Sequence, residues 1–373
     1  MPPPNFHEQI QVDVSSLQVT SSRGQATIQR ICLSPKAAGD LPYPSPPAGA
    51  RELTVLQTSD EDSLYDADSV ADSSLSFAST VRDYYYENGR RYHAYRYGQY
   101  PIPNDEEEQD RLNITHHLFK LLTGGDLYRT PLAQQPAPKR ILDIGTGTGA
   151  WALEMAEQFP EAEIIGTDLS PIQPSFSPPN CTFIIDDAES DWAFSKDEPF
   201  DYIHARSMGG GIADWDRLFR QAYNHLKPGG WLEVQEFEAA IHSDDGTEEK
   251  APMLVDLSKK LDEASKKFGK RVSVAPSLAG WMDRAGFTNI TEDIYKCPVG
   301  SWPKSPRLKE IGRVGKVAVI EAIEPYSLAL FTRVLGWSYE RAQDYVNKCR
   351  REAMNCSGHI HILYYFVYAQ RPL

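Results

Sequence analysis

With 373 residues, 41% of them hydrophobic and 11% aromatic, the chain can bury a sizeable core in one large domain or two modest ones. Its net charge of −14 repels phosphate backbones, which argues against general nucleic-acid binding. Five scattered cysteines (32, 181, 297, 349 and 356) lack metal-ligand spacing, apart from the weak grouping of Cys356 with His359 and His361; they indicate reduced thiols, no metal site and an intracellular protein, and no apolar run is long enough for a membrane span or a secretory signal.

Residues 1–80 are rich in Pro, Ser and Asp, as in Leu41–Pro47 and Ser59–Ser79, and predict a mostly disordered tail, with strand character only around Thr27–Leu33. An ordered domain is expected over 81–373. Its first part, 81–135, is an aromatic and helical cap. Tyr84, Tyr85, Tyr86, Tyr92, Tyr95, Tyr97 and Tyr100 alternate with Arg90, Arg91, His93 and Arg96, a pattern that suits packing on the main domain with some rings lining a pocket. Asn104 or Asp105 then caps a helix whose apolar face carries Leu112, His116, Phe119 and Leu122, and which Gly124 and Gly125 end.

The segment Arg140–Ala150 reads as strand, glycine turn and helix start, with glycines at 145, 147 and 149. Glycines there let the backbone turn tightly and let a ligand approach it. Ala150 also completes a Gly-x-Gly-x-x-Ala pattern, so the loop alone leaves open a dinucleotide or another nucleotide-type ligand. A helix with Ala152, Met155, Ala156 and Phe159 stops at Pro160, and a strand over Glu163–Asp168 ends in an acid placed to accept ribose hydroxyls. Strands follow at Cys181–Ile185, Phe200–Ala205 and Trp231–Phe237, the last after a breaker at Leu226–Gly230, with an amphipathic helix over Trp215–Leu226 between the last two. This alternation means a parallel sheet with helices on both faces. Beyond it come helices over Pro252–Phe268, Leu278–Ala285, Lys309–Leu335 and Tyr339–Met354, a strand over Asn289–Val299, and a strong last strand over His361–Ala369. The basic cluster from Lys259 to Arg271 fits a solvated helix face.

The pattern resembles class I S-adenosylmethionine-dependent methyltransferases in Leu142–Gly149, the Asp168 strand end, Asp187–Ala188, Phe200–His204 and Leu226–Gly230. A closer resemblance, carried by Glu87–His93, Asp105–Leu112, Asp168–Pro174 and Asp187–Trp192, is to the fungal LaeA-like methyltransferases. That family includes nuclear regulators of secondary metabolism, some working with velvet proteins, and methyltransferases of biosynthetic clusters. The chain departs from the founding regulator in having Thr146 where a cysteine is usual and in a short acidic tail without a clear basic import signal.

The resemblance implies a Rossmann-like fold: a seven-stranded, mostly parallel sheet with an antiparallel last strand, a cofactor core over 139–237 and helical lid insertions, including 301–350. It implies S-adenosylmethionine as cofactor, with Gly145, Thr146, Gly147 and Gly149 against the amino-acid end and ribose. Asp143 would orient the amino-acid end, Asp168 hold the ribose hydroxyls, Leu169 lie against adenine and Asp187 meet the adenine amine. The catalytic candidates are His204, Arg206, Glu236, and His117 with its neighbour His116, none fixed as a base; Tyr97 and Tyr100 are the expected substrate lid. The implied function is methylation of a fungal secondary metabolite or peptide precursor, or regulation of secondary metabolism, in the cytoplasm or nucleus. The alternatives are a regulator acting through a velvet-type partner and, on the glycine loop alone, an NAD-dependent oxidoreductase.

Overall fold

The computed structural model describes residues 84–132 and 136–373. The expected disordered tail and the Thr27–Leu33 strand lie outside the described residues.

The chain enters through a hairpin, β1 (Tyr84–Glu87) and β2 (Arg90–His93), joined by Asn88 and Gly89, both at positive φ. Two such residues suit the tight turn that matches the twist of paired strands. Arg90 of β2 grips Asp105 through two nitrogens at 2.6 and 2.8 Å. Asp105 also caps α1 (Glu106–Thr123) by accepting the Glu108 N–H, and Gly124 ends that helix at a φ of 84°.

The central strand is β3 (Arg140–Ile144). Ile141, Leu142 and Ile144 are at most 1% exposed, as expected for a parallel strand covered on both faces. To one side lie β4 (Glu163–Asp168) and β5 (Cys181–Ile185); to the other lie β6 (Phe200–Arg206) and β7 (Leu226–Phe237), all parallel. The last strand, β10 (Ile360–Gln370), runs antiparallel between β7 and β9 (Thr288–Pro298). The expected seven strands are present. A two-residue piece, β8 (His242–Ser243), is an eighth that pairs with the start of β10.

One face of the sheet packs α2 (Ala150–Gln158), where Trp151 and Met155 meet Ile141, Ile164 and Tyr202. The other packs α3 (Trp215–His225) and α5 (Leu278–Arg284), with Phe219 and Met282 against Leu142, Ile203 and Val234. A third cluster unites α4 (Pro252–Phe268), α6 (Pro306–Ala329) and α7 (Tyr339–Asn355). On α4, Lys260, Lys266 and Lys267 pair with acids one turn earlier, as on a solvated face, whereas Lys270, just past its end, turns inward to Glu189 and the Gly211 carbonyl. No helix among the described residues is long and apolar enough to cross a membrane.

Two expectations are corrected. Leu226–Gly230 does not break the chain before the fifth strand but belongs to β7. Gly229 turns at a φ of 78°, its N–H donates to the Arg371 carbonyl and its carbonyl accepts from Gln370, so the end of β10 carries the bend within the sheet. The helix expected over Lys309–Leu335 ends at Ala329 and widens into a π turn over Leu330–Val334. Pro325 lies one turn upstream and has no N–H to donate.

Candidate cofactor and acceptor site

The order of strands reverses at β3, so the loops leaving β3 and β6 diverge and open a crevice at their carboxyl ends. Asp143, 2% exposed, sits at that end. Thr146 Oγ1 donates to its Oδ2 at 2.6 Å, and His204 Nδ1 lies 2.7 Å from its Oδ1. His204 neighbours Asp143 in the β3–β6 register, and its ring stacks on Trp151 at 3.7 Å. Asp143 and His204 thereby lock the loop to the sheet.

Gly145, Gly147 and Gly149 take φ values of 66°, 58° and 80°, which other residues resist. A Cβ on Gly149 would lie 2.5 Å from the Phe183 ring, and one on Gly145 would strike the Met208 thioether. The Gly147 N–H donates to Asp168 Oδ2 at 2.8 Å and the Ser170 N–H to Oδ1 at 2.9 Å. Burial still pushes the Asp168 carboxyl up to about 6. Leu169 follows, partly buried. The Gln173 amide ties the Gly147 and Ser170 carbonyls together at 2.7 and 3.0 Å.

A cavity lies over the loop between Gly145–Thr148, Leu112 and His116 of α1, and Arg206 at the end of β6. Arg206 donates to His116 Nδ1 at 2.9 Å, and His116 Nε2 meets Glu154 Oε1 at 3.0 Å. Burial, with Arg206 adding to it, lowers His116 to about 4, so its ring is neutral near pH 7.

The other expected residues are placed less directly. His117 is partly buried one position off the His116 face, and burial, then Lys120, lowers its pKa. Glu236 is fully buried under a turn, its Oε1 accepting the N–H groups of Met208 and Gly209, and burial pushes it up to about 8. Asp187 pairs with Arg96 at 3.0 Å and accepts the Glu189 N–H, so its carboxylate is engaged in closing a turn. Tyr97 is 70% exposed with its ring against Tyr85, 4.4 Å away; it does not reach the crevice. Tyr100 does lie inward: its ring packs near Gly211, and Tyr326 and Asp168 act on its hydroxyl, which burial first of all raises. The contribution of Leu112 was not anticipated, although it precedes His116 by one helical turn and so shares its face.

A family model described as a methyltransferase domain matches residues 114–292. Methyltransferase pytC of Aspergillus terreus is 46% identical over 80% of this chain and 92% of its own length. The chain belongs to the LaeA-like methyltransferases. Two further relatives are the secondary metabolism regulator laeA of Aspergillus fumigatus, 37% identical over 78% of this chain and 77% of its own, and the protein-methionine methyltransferase laeA of Emericella nidulans, 36% identical over 79% and 78%. This methyltransferase uses S-adenosylmethionine. The dinucleotide reading of the loop falls away. The residues present fit the cofactor: an acidic strand end with spare lone pairs for hydroxyls, a loop with no Cβ at three positions, and a cavity above it.

Proposed function

We propose that this methyltransferase holds S-adenosylmethionine across the carboxyl ends of β3, β4 and β6 and methylates a small molecule or peptide of secondary metabolism. When bound, the cofactor supplies an activated methyl group on a sulfonium. The Asp168 carboxylate accepts the ribose hydroxyls, Leu169 gives an apolar wall, and Gly145, Thr146, Gly147 and Gly149 form the floor. Asp143 fixes Thr146 and His204, and Asp187, paired with Arg96, closes the far end. Tyr100 and Tyr326 of α6 form the acceptor wall.

The observation that carries this reading is the Asp168–Gly147 hydrogen bond, which fixes the acid against the glycine loop below the cavity. Around that cavity the groups chiefly serve alignment; His204, held by Asp143 through Nδ1, keeps an Nε2 without a partner among the described residues. Both ring nitrogens of His116 are engaged and Asp143 is shared by Thr146 and His204; Glu236, outside the lining and under its own turn, carries its proton near neutral pH. With one imidazole nitrogen as the base on offer, such a site suits an acceptor whose attacking atom needs no strong base, such as a neutral amine or a sulfur.

A second reading makes a protein methionine the acceptor. It is supported by the relative named for that activity and by the Met208 thioether pressed toward Gly145. A thioether attacks without losing a proton. In this form the protein acts as a regulator, in the nucleus or cytoplasm, alone or with a velvet-type partner.

Methyl-labelled S-adenosylmethionine, the purified chain and a fungal extract, followed by separation by size, test both. Label in small molecules, absent from an Asp168→Ala control, supports the first reading. Label in this chain that disappears with Met208→Leu, or label in a second protein, supports the second. No label in any fraction would refute both.

A further inference from the structure

Several partly buried guanidiniums among the described residues have carboxylates: Arg90 has Asp105 and Glu324, Arg111 has Glu108, Arg333 has Glu87, and Arg350 has Glu324. Arg206 has none. Its polar contact is the neutral His116 ring, its flat face lies 5.1 Å from the Phe119 centroid, and it forms no ion pair within 4.0 Å among the described residues. It faces the cavity beside Gly145, Thr146 and Ser207. Burial lowers it only to about 10, so it is charged at neutral pH. Asp143 and Glu154 favour that charge without pairing with it; a cation held away from water without a paired anion is costly, and the cost is offset once an anion enters.

We infer that Arg206 seats the methionyl carboxylate of S-adenosylmethionine and that His116 aims it there. The inference rests on the cofactor reading above. Lys120 Nζ lies 2.6 Å from Glu154 Oε2, and Glu154 Oε1 lies 3.0 Å from His116 Nε2. Burial raises the Glu154 carboxyl, but His116 and Lys120 outweigh it and hold Glu154 down to about 2. An ionised Glu154 requires a proton on His116 Nε2, which leaves Nδ1 as the acceptor for Arg206. Glu154 stands on α2, the helix that continues the glycine loop, and Lys120 and His116 stand on α1. The chain of contacts therefore sets the guanidinium against the loop from two elements. Arg206 is thus a binding residue and His116 a positioning residue; neither is assigned proton transfer.

The test compares two ligands by titration calorimetry on the full chain: S-adenosylhomocysteine, and 5′-methylthioadenosine, which lacks the amino-acid end. Arg206→Gln should weaken S-adenosylhomocysteine roughly 30- to 100-fold, the loss typical of an ion pair shielded from water, and 5′-methylthioadenosine less than about threefold. Arg206→Lys should recover part of the loss, and His116→Phe should show the same split between ligands at smaller size. Melting curves without ligand identify a variant that fails to fold, in which case Arg206→Lys alone supplies the comparison. Equal loss of both ligands would overturn the assignment in favour of a structural role. Unchanged S-adenosylhomocysteine affinity with a raised KM for the acceptor would overturn it in favour of an acceptor anion. Failure of the wild-type chain to bind either ligand would instead overturn the cofactor reading.

Discussion

Glu236→Gln should remove a large part of the pH dependence of folding. Glu236 is fully buried near the end of β7, and its Oε2 has no partner among the described residues. Burial pushes the carboxyl from the ordinary 4.5 up to about 8, against the Met208 and Gly209 N–H groups, which favour the ionised form. Between these two values the group is neutral in the folded chain and ionised in the unfolded one. Its contribution is therefore fully present below about pH 4.5 and is lost as the pH rises through 8. At ~1.4 kcal/mol per pH unit, that interval corresponds to at most about 5 kcal/mol. Glutamine keeps a carbonyl oxygen for the two N–H groups and never ionises. Urea unfolding of both proteins from pH 5 to 9 reads the difference, because every other titrating group cancels between them. The variant should gain ~1.4 kcal/mol on the wild type for each pH unit through the middle of the range. A difference constant to within about 1 kcal/mol from pH 5 to 9 would refute the reasoning.

The same physics bears on three other positions. Glu233, fully buried, accepts from the backbone of Arg129 and Thr130, the Thr130 and Tyr202 hydroxyls and the Gln235 amide; Glu233→Ala leaves these donors stranded and should cost ~3–5 kcal/mol in urea unfolding, and a loss under about 1 kcal/mol would contradict the account. With Asp168 at about 6 before binding, S-adenosylhomocysteine affinity should fall as the pH drops below 6, by up to about tenfold per unit, because a protonated carboxyl loses an acceptor; Asp168→Asn should bind more weakly with a flat profile, and a flat wild-type titration would count against the ribose role. Tyr100→Ala should lower kcat/KM for the acceptor more than tenfold, with S-adenosylhomocysteine affinity nearly kept, while Tyr97→Ala at its exposed position stays within about twofold; the reverse order would dismiss the acceptor wall.

The strand and glycine turn were legible because they are local: Asp143, the three glycines and Asp168 lie within one strand–loop–helix–strand unit, where spacing constrains geometry. The parallel sheet was legible for the same reason, since alternating strands and helices leave few ways to wind. What was missed depends on long-range meetings. Tyr97 and Tyr100 look alike in sequence, yet the ring of Tyr97 falls on the hairpin and that of Tyr100 turns inward; the Asn88–Gly89 turn signal was present, but it does not say which face the next rings take. Glu236 was a catalytic candidate, but the N–H of Gly209, 27 residues earlier, captures its carboxyl. The Arg206–His116 contact joins residues 90 apart, and no periodicity announces such a pair.

The position of β10 has a consequence for how the chain is made. β10 separates β7 from β9, so until Ile360–Gln370 leave the ribosome β7 has an open edge and β9 has no strand to join. About 120 residues separate the end of β7 from the start of β10, a wait of ~6–25 s at usual rates of synthesis. During that time the Rossmann half can collapse on α2 and α3 but cannot close. Nascent chains stalled before Ile360 should therefore be protease-sensitive throughout β7 and β9 and should engage chaperones, becoming resistant together once β10 emerges; early resistance of β9 alone would show that it finds order without its neighbour.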